Sequence, residues 1–368
     1  MRLPSLTAAC LALLTLTTVC VAAQPAPDAA RAIDPTQRSA VVDDLADKLA
    51  ATYVVPEVGR KLSAALRDKA AAGGYDRATT TEALAQALTL DLRDIGQDAH
   101  LRVGFDSDFQ APPPDAHHVP SADEVAAQRR DFARRGFGIY RVQRLPGNVG
   151  YLDIRGFGPV TYVGAAYSAA ISLLTGTDAL VLDLRRNGGG EPEAVAYLLS
   201  HFFPEGDERH LNSMESRTEG RTRESWTSGS AAPRYTRPIY VLTSSQTFSG
   251  GEECAYDLQT QKRATLVGET TGGGAHSGDD VALRAGFVAF IPTGRAINPI
   301  TKTNWERVGV HPDVAVPASA AMKTAYTAIL QGLLAKTTDP EERAGLAQTV
   351  ANVESGAIEL PAFVPMRR

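Results

Sequence analysis

Cysteine is nearly absent: the 368-residue chain has three, and Cys10 and Cys20 both lie in the apolar stretch at its start. A chain that sheds that stretch keeps only Cys254, so no internal disulfide is available and packing must supply its stability. Cys254 falls in an apolar helical pattern with Ala255 and Leu258, which reads as a small buried hydrophobe rather than a nucleophile. Blocks of like charge are missing as well. The 37 basic and 42 acidic residues are interspersed, with a formal charge of -5, which leaves no electrostatic footprint for nucleic acid. Metal-ligand spacing is also lacking. His117 and His118 are adjacent, but only Asp115 stands near them, so a solvated loop is expected there and neither a metal nor another cofactor.

What is present starts with an export signal over 1–23: Met1-Arg2-Leu3, an apolar run from Leu6 to Ala22, and small residues at Val21-Ala22-Ala23. The expected location is exported, periplasmic or secreted, with no stable membrane span in the mature chain. Val19 before Cys20 argues against lipid attachment. Residues 24–35, rich in Ala, Pro and Asp, suit a flexible lead-in. Over 36–105 apolar residues recur at helical spacing, as in Val41, Leu45, Leu49 and in Leu84, Leu88, Leu92, and predict a small helical domain. A linker is expected over 106–136, where Pro112-Pro113-Pro114 and Pro120 interrupt regular structure. From 137 to 317 short β-rich runs alternate with helical stretches, the pattern of an α/β core, and 318–368 returns to helical periodicity.

Chemistry gathers around Ser249. The strand pattern Tyr240-Val241-Leu242-Thr243 leads through Thr247-Phe248-Ser249-Gly250-Gly251-Glu252 into a helical stretch. A serine at such a turn presents its hydroxyl outward, with the N–H of Gly250 and the positive end of the helix beside it. The same residues also fit a plain helix cap, with Glu252 closing a capping box. A second feature is Leu182-Asp183-Leu184-Arg185-Arg186-Asn187-Gly188-Gly189-Gly190, an apolar strand running into glycines whose N–H groups a substrate can approach closely.

These two segments, with Gly150-Tyr151-Leu152-Asp153-Ile154-Arg155-Gly156-Phe157 before them and Leu266-Val267-Gly268-Glu269-Thr270-Thr271-Gly272-Gly273-Gly274 after, resemble the tail-specific (carboxy-terminal-processing) protease family of serine peptidases. The resemblance implies a ClpP/crotonase-like mixed β-sheet core with helices, no cofactor, and a peptide or protein substrate; Ser249 takes the nucleophile position. Two departures matter. The lysine of the family's Gly-Lys-Gly step is missing, since Gly272-Gly273-Gly274-Ala275-His276 stands there, and 100–147 is too short for a PDZ domain.

Both departures resemble the branch of the interphotoreceptor retinoid-binding protein modules and the tricorn core, whose base is a histidine from earlier in the chain. That likeness implies His100 as base and, from the segment ending Trp305-Glu306-Arg307-Val308-Gly309-Val310, Glu306 as third member of a Ser-His-Glu triad. His276 is the alternative base, Asp98 can hold His100 locally, and Gly250 with Gly188 or Gly189 would form the oxyanion hole. The same branch also implies a second reading, a non-catalytic carrier of retinoid-like or fatty-acid-like apolar ligands.

Overall fold

The computed structural model describes residues 31–110 and 121–366. The expected export signal, most of the lead-in and His117-His118 lie outside the described residues. No helix among the described residues is long and apolar enough to cross a membrane.

The chain begins with α1 (Pro35–Thr52), α2 (Pro56–Ala71) and α3 (Thr81–Gly96). Asp34 starts α1 by accepting from the Gln37 N–H at 2.8 Å, with Pro35 supplying a helical φ at no hydrogen-bond cost. The end of the expected lead-in is not loose: Ile33 is buried and Ala32 bridges to Thr80. The apolar stripes of α1, α2 and α3 share one core with Phe287, Ala289 and Ile291 of a strand far along the sequence. The helices are therefore not a free-standing bundle; they close over an antiparallel sheet. Gln97, in a left-handed conformation with φ 53°, ends α3 and turns Asp98-Ala99-His100 into β1 (Arg102–Phe105).

Part of the expected linker is helical, as α4 (Ala122–Arg134). The prolines stop at Pro120, and Ser121 with Glu124 then makes a capping box that starts this helix. None of its residues is buried, so its sequence lacks the apolar stripe that would have announced it.

Then come β2 (Ile139–Leu145), β3 (Val149–Ile154), α5 (Val160–Leu174), β4 (Ala179–Asp183) and α6 (Pro192–Ser200). Next are β5 (His210–Ser216), β6 (Arg221–Trp226), β7 (Ile239–Thr243), α7 (Gly250–Thr260) and β8 (Ala264–Gly268). β9 (His276–Ala282), β10 (Phe287–Ile297), β11 (Val314–Ala315), α8 (Ala318–Lys336) and α9 (Pro340–Glu354) complete the described chain.

Six strands form one sheet in the order β11-β8-β7-β4-β3-β2, parallel except for β2. Alternation along its strands feeds two cores: Leu152, Leu180 and Leu182 pack with residues of α5, α6 and α7, while Tyr151, Ala179 and Val181 pack with α8 and α9. The second sheet is antiparallel and centred on β10, with β9 along one edge and β1 and β5 in line along the other. Its strands β5 and β6 are mostly polar and only partly buried, and carry no continuous apolar run.

A buried ion pair fixes the exit of β4. Arg185, 1% exposed, donates to both oxygens of Asp183 at 2.9 and 2.6 Å and to the Ala318 carbonyl at 2.9 Å. Removing one partner of such a pair leaves an uncompensated buried charge and costs about 3–5 kcal/mol. The glycine loop that follows is thereby tied to the start of α8.

Candidate active site

Ser249 stands where the parallel strand β7 gives way to α7. Its φ of 51° and ψ of -122° are strained for a residue with a Cβ, a cost of roughly 1–3 kcal/mol that the surroundings must sustain. They do so through three hydrogen bonds. Thr247 Oγ1 donates to the Leu184 carbonyl at 2.8 Å, Phe248 N–H to the Asn187 carbonyl at 2.9 Å, and Ser249 N–H to Glu252 Oε2 at 2.9 Å. Ser249 and Glu252 form a capping box at the start of α7, a role in which the hydroxyl oxygen only accepts, so its proton stays free to be given up. Glu252 also accepts from Thr271 Oγ1 at 2.5 Å and from the N–H groups of Gly273 and Gly274 at 2.6 and 2.8 Å. It locks the serine turn to the second glycine loop. Burial pushes its carboxyl up to about 7, against donors that favour the charged form.

Of the three glycines expected to offer oxyanion donors, only Gly250 has its N–H unengaged. Gly188 N–H donates to the Arg155 carbonyl at 3.3 Å and Gly189 N–H to Asn187 Oδ1 at 2.8 Å, so both are already engaged. Gly189 instead lies against the nucleophile: a Cβ there would stand 2.7 Å from Ser249 Cβ. The N–H groups of Gly250 and Gly190 have no acceptor among the described residues, and both glycines line the cleft that holds Ser249. Gly190 has φ 131°, and a Cβ on it would meet the Phe157 carbonyl oxygen at 1.9 Å. Only glycine fits.

That cleft, of about 560 Å³, also receives His100 and His276. His100 comes from the α3–β1 turn and packs its ring on Phe248, centroids 4.5 Å apart. A Cβ added to Gly274 would lie 2.6 Å from His100 Cε1, so the imidazole fills space that a side chain from the glycine loop would otherwise take. Both ring nitrogens of His100 are buried without a hydrogen-bond partner. His276 begins β9, and its Nδ1 pairs with Asp98 Oδ2 at 2.7 Å.

Glu306 does not hydrogen-bond His100, contrary to the simple triad. Its Oε2 accepts from the Ala275 N–H at 2.7 Å and lies 3.7 Å from His276 Nδ1. Asp98 is the carboxylate beside His100, with Oδ1 2.9 Å from the His100 N–H and 3.5 Å from its Nδ1. Burial opposes ionisation of Asp98, but His100 and His276 outweigh it and hold the carboxyl well below the usual range. For Glu306, burial and then the charge of Asp98 raise the carboxyl.

In the wall of the cleft, Glu253 is raised by burial and by Glu193, and behind it Asp257 by burial and by Glu253 itself. The fold tolerates the protonated form of Glu253. Its contribution to stability is therefore complete below the ordinary glutamate range and is lost as pH rises through the elevated value. Melting temperature is expected to fall from about pH 5 to about pH 8, and Glu253→Gln is expected to flatten that fall and melt above the wild type at the upper end. Equal slopes for the two proteins would sink this reading.

Residues 148–316 match the model of peptidase family S41, and residues 29–135 match that of the N-terminal domain of this peptidase family in eukaryotic IRBP. The chain is 34% identical over 126 residues to the carboxyl-terminal-processing protease of Synechocystis sp., covering 34% of this chain and 28% of that protein. It is 29% identical over 194 residues to the chloroplastic carboxyl-terminal-processing peptidase 2 of Arabidopsis thaliana, 49% of this chain and 35% of that one. The matches thus span only about a third of these curated relatives. Among solved structures, a lipoprotein from Streptococcus agalactiae superposes with TM-score 0.51 at 13% identity, covering 81% of this chain and 96% of that one. A protein from Parabacteroides merdae does so with TM-score 0.53 at 17% identity, over 83% and 98%. These two likenesses are of fold.

Proposed function

The chain belongs to peptidase family S41, and from that premise we propose that it hydrolyses peptide bonds through an acyl-enzyme on Ser249. The observation that carries this is the strained Ser249 turn, with its hydroxyl proton free and two unengaged N–H groups, Gly250 and Gly190, in the same cleft as His100.

Ser249 Oγ attacks the scissile carbonyl and His100 takes its proton; the developing oxyanion meets the N–H groups of Gly250 and Gly190. The amine leaves with the proton from His100, and water, activated by the same imidazole, releases the acid. An imidazole can take a serine proton near neutral pH, whereas a lysine does so only when burial has shifted it strongly. Asp98 backs the imidazolium, and Glu306 acts one step further out, through His276 and Asp98. Hydrogen bonds of this kind are often loose before substrate arrives, which fits the 3.5 Å between His100 Nδ1 and Asp98 Oδ1.

The carrier reading fits this cleft less well. Arg93, Arg102, Glu191, Glu253 and Asp279 are among its lining residues, and an apolar ligand would leave such charged groups poorly solvated. Incubation with an unfolded polypeptide in the presence of a chelator should generate new termini, mapped by mass spectrometry. No new termini from a folded preparation would count against the peptidase reading.

We also propose that the protein acts outside the cytoplasm, on the strength of the basic start, apolar centre and small-residue end of residues 1–23. Sequencing the mature N-terminus tests this. A start at or close to Gln24 is expected, and recovery of intact Met1-Arg2 from the exported fraction would contradict it.

A further inference from the structure

The site holds more donor atoms than a serine mechanism uses. Asp98, His276 and Glu306 each offer a ligand atom, and these atoms lie within 4.8 Å of one another. Asp98 Oδ2 is 2.7 Å from His276 Nδ1, and Glu306 Oε2 is 3.7 Å from the same nitrogen. The side chains are 0%, 7% and 9% exposed. Glu306 Oε1 is buried without any partner, and so are both ring nitrogens of His100 alongside. Buried acceptors in that state normally have a proton donor or a cation to satisfy them.

We propose that Asp98, His276 and Glu306 bind a divalent cation of the zinc class, and that this binding silences Ser249. The three donors come from the α3–β1 turn, the start of β9 and the loop before β11. Sequence spacing therefore hides the set, while the sheet around β10 holds two of its three sources rigid.

The outer contacts are those of a metal site. Tyr53 OH donates to Asp98 Oδ2 at 2.9 Å, the His100 N–H to Asp98 Oδ1 at 2.9 Å, and the Ala275 N–H to Glu306 Oε2 at 2.7 Å. Tetrahedral ligand bonds of about 2.0–2.2 Å put neighbouring donor atoms roughly 3.3–3.5 Å apart. From 2.7 Å the first pair must open by roughly 0.6–0.8 Å, and from 3.7 Å the second must close by roughly 0.2–0.4 Å, both within the reach of side-chain rotation. On binding, the imidazole moves its proton from Nδ1 to Nε2 and gives the Nδ1 lone pair to the metal; the two carboxylates balance the cation. One imidazole with two carboxylates favours Zn²⁺ over Mg²⁺ or Ca²⁺.

Silencing follows from Asp98. It is the carboxylate beside His100, and a cation drawing on its charge removes the support that the imidazolium needs as Ser249 loses its proton. This half rests on the serine peptidase reading; the binding half does not.

The test is a calorimetric titration of ZnCl₂ into chelator-stripped full-chain Ser249→Ala protein, alongside MgCl₂. One equivalent of zinc is expected to bind and magnesium is not. Adding His276→Gln or Glu306→Gln is expected to weaken zinc at least about tenfold, with circular dichroism confirming that each variant is folded. Absence of zinc binding, or zinc binding unchanged in folded His276→Gln and Glu306→Gln proteins, overturns the site. In the wild type, zinc is expected to slow fluorophosphonate labelling of Ser249 and EDTA to restore it. Zinc binding with an unchanged labelling rate overturns the silencing. No labelling of the zinc-free protein contradicts the peptidase reading instead, and leaves the calorimetric result standing.

Discussion

Ser249→Ala is expected to lower peptide-bond turnover by at least about 10³-fold, because removal of the nucleophile leaves only binding and the oxyanion donors to act on the carbonyl. The same change should scarcely alter the fold. The turn is held by Thr247, by the Ser249 N–H to Glu252 half of the capping box, which alanine keeps, and by backbone contacts to the β4 loop. A shift in unfolding free energy below about 1 kcal/mol is expected. Steady-state kinetics beside thermal melts check both halves. Retained turnover would remove Ser249 from the mechanism, whereas a large loss of stability would mark it as structural.

His100→Ala is expected to cost about 10²–10⁴-fold in kcat, the range for loss of a general base. His276→Gln should cost less, since in the proposed mechanism His276 acts through Asp98, and should lower turnover rather than abolish it. Asp98→Asn sharpens the distinction. It removes the charge that backs His100 while keeping nearly the same volume, so kcat should drop and KM stay close to that of the wild type. The reverse ranking, with His276→Gln near inactive and His100→Ala mildly affected, would transfer the base to His276.

How much of this was legible in the chain itself depended on the kind of signal each part carries. The buried strands β3, β4, β7 and β8 show themselves as apolar runs, and α1 and α3 as apolar stripes, because a sheet covered on both faces and a helix covered on one leave those periods. β5 and β6 face solvent for much of their surface, so His210–Ser216 and Arg221–Trp226 show no comparable run. α4 has a start signal in Ser121 and Glu124 but no buried face.

The glycine loop after β4 was legible as a close-approach segment, but not the choice among its members. That choice is decided by where the N–H groups point, with Gly188 and Gly189 turned to Arg155 and Asn187, and Gly190 left unengaged. Likewise the motif order brings Glu306 into the neighbourhood of the base without revealing that it clusters with His276 and Asp98. Contacts that join residue 98 to residues 276 and 306 have no sequence period, and only the closure of β1 and β9 around β10 creates them.

Covalent labelling reaches the central claim most directly. Intact, zinc-free protein treated with a fluorophosphonate and digested should carry one adduct, on the peptide containing Thr247-Phe248-Ser249-Gly250, and the labelling rate should fall in folded His100→Ala protein. Absence of an adduct from folded wild-type protein, or an adduct on another residue, would contradict Ser249 as the nucleophile.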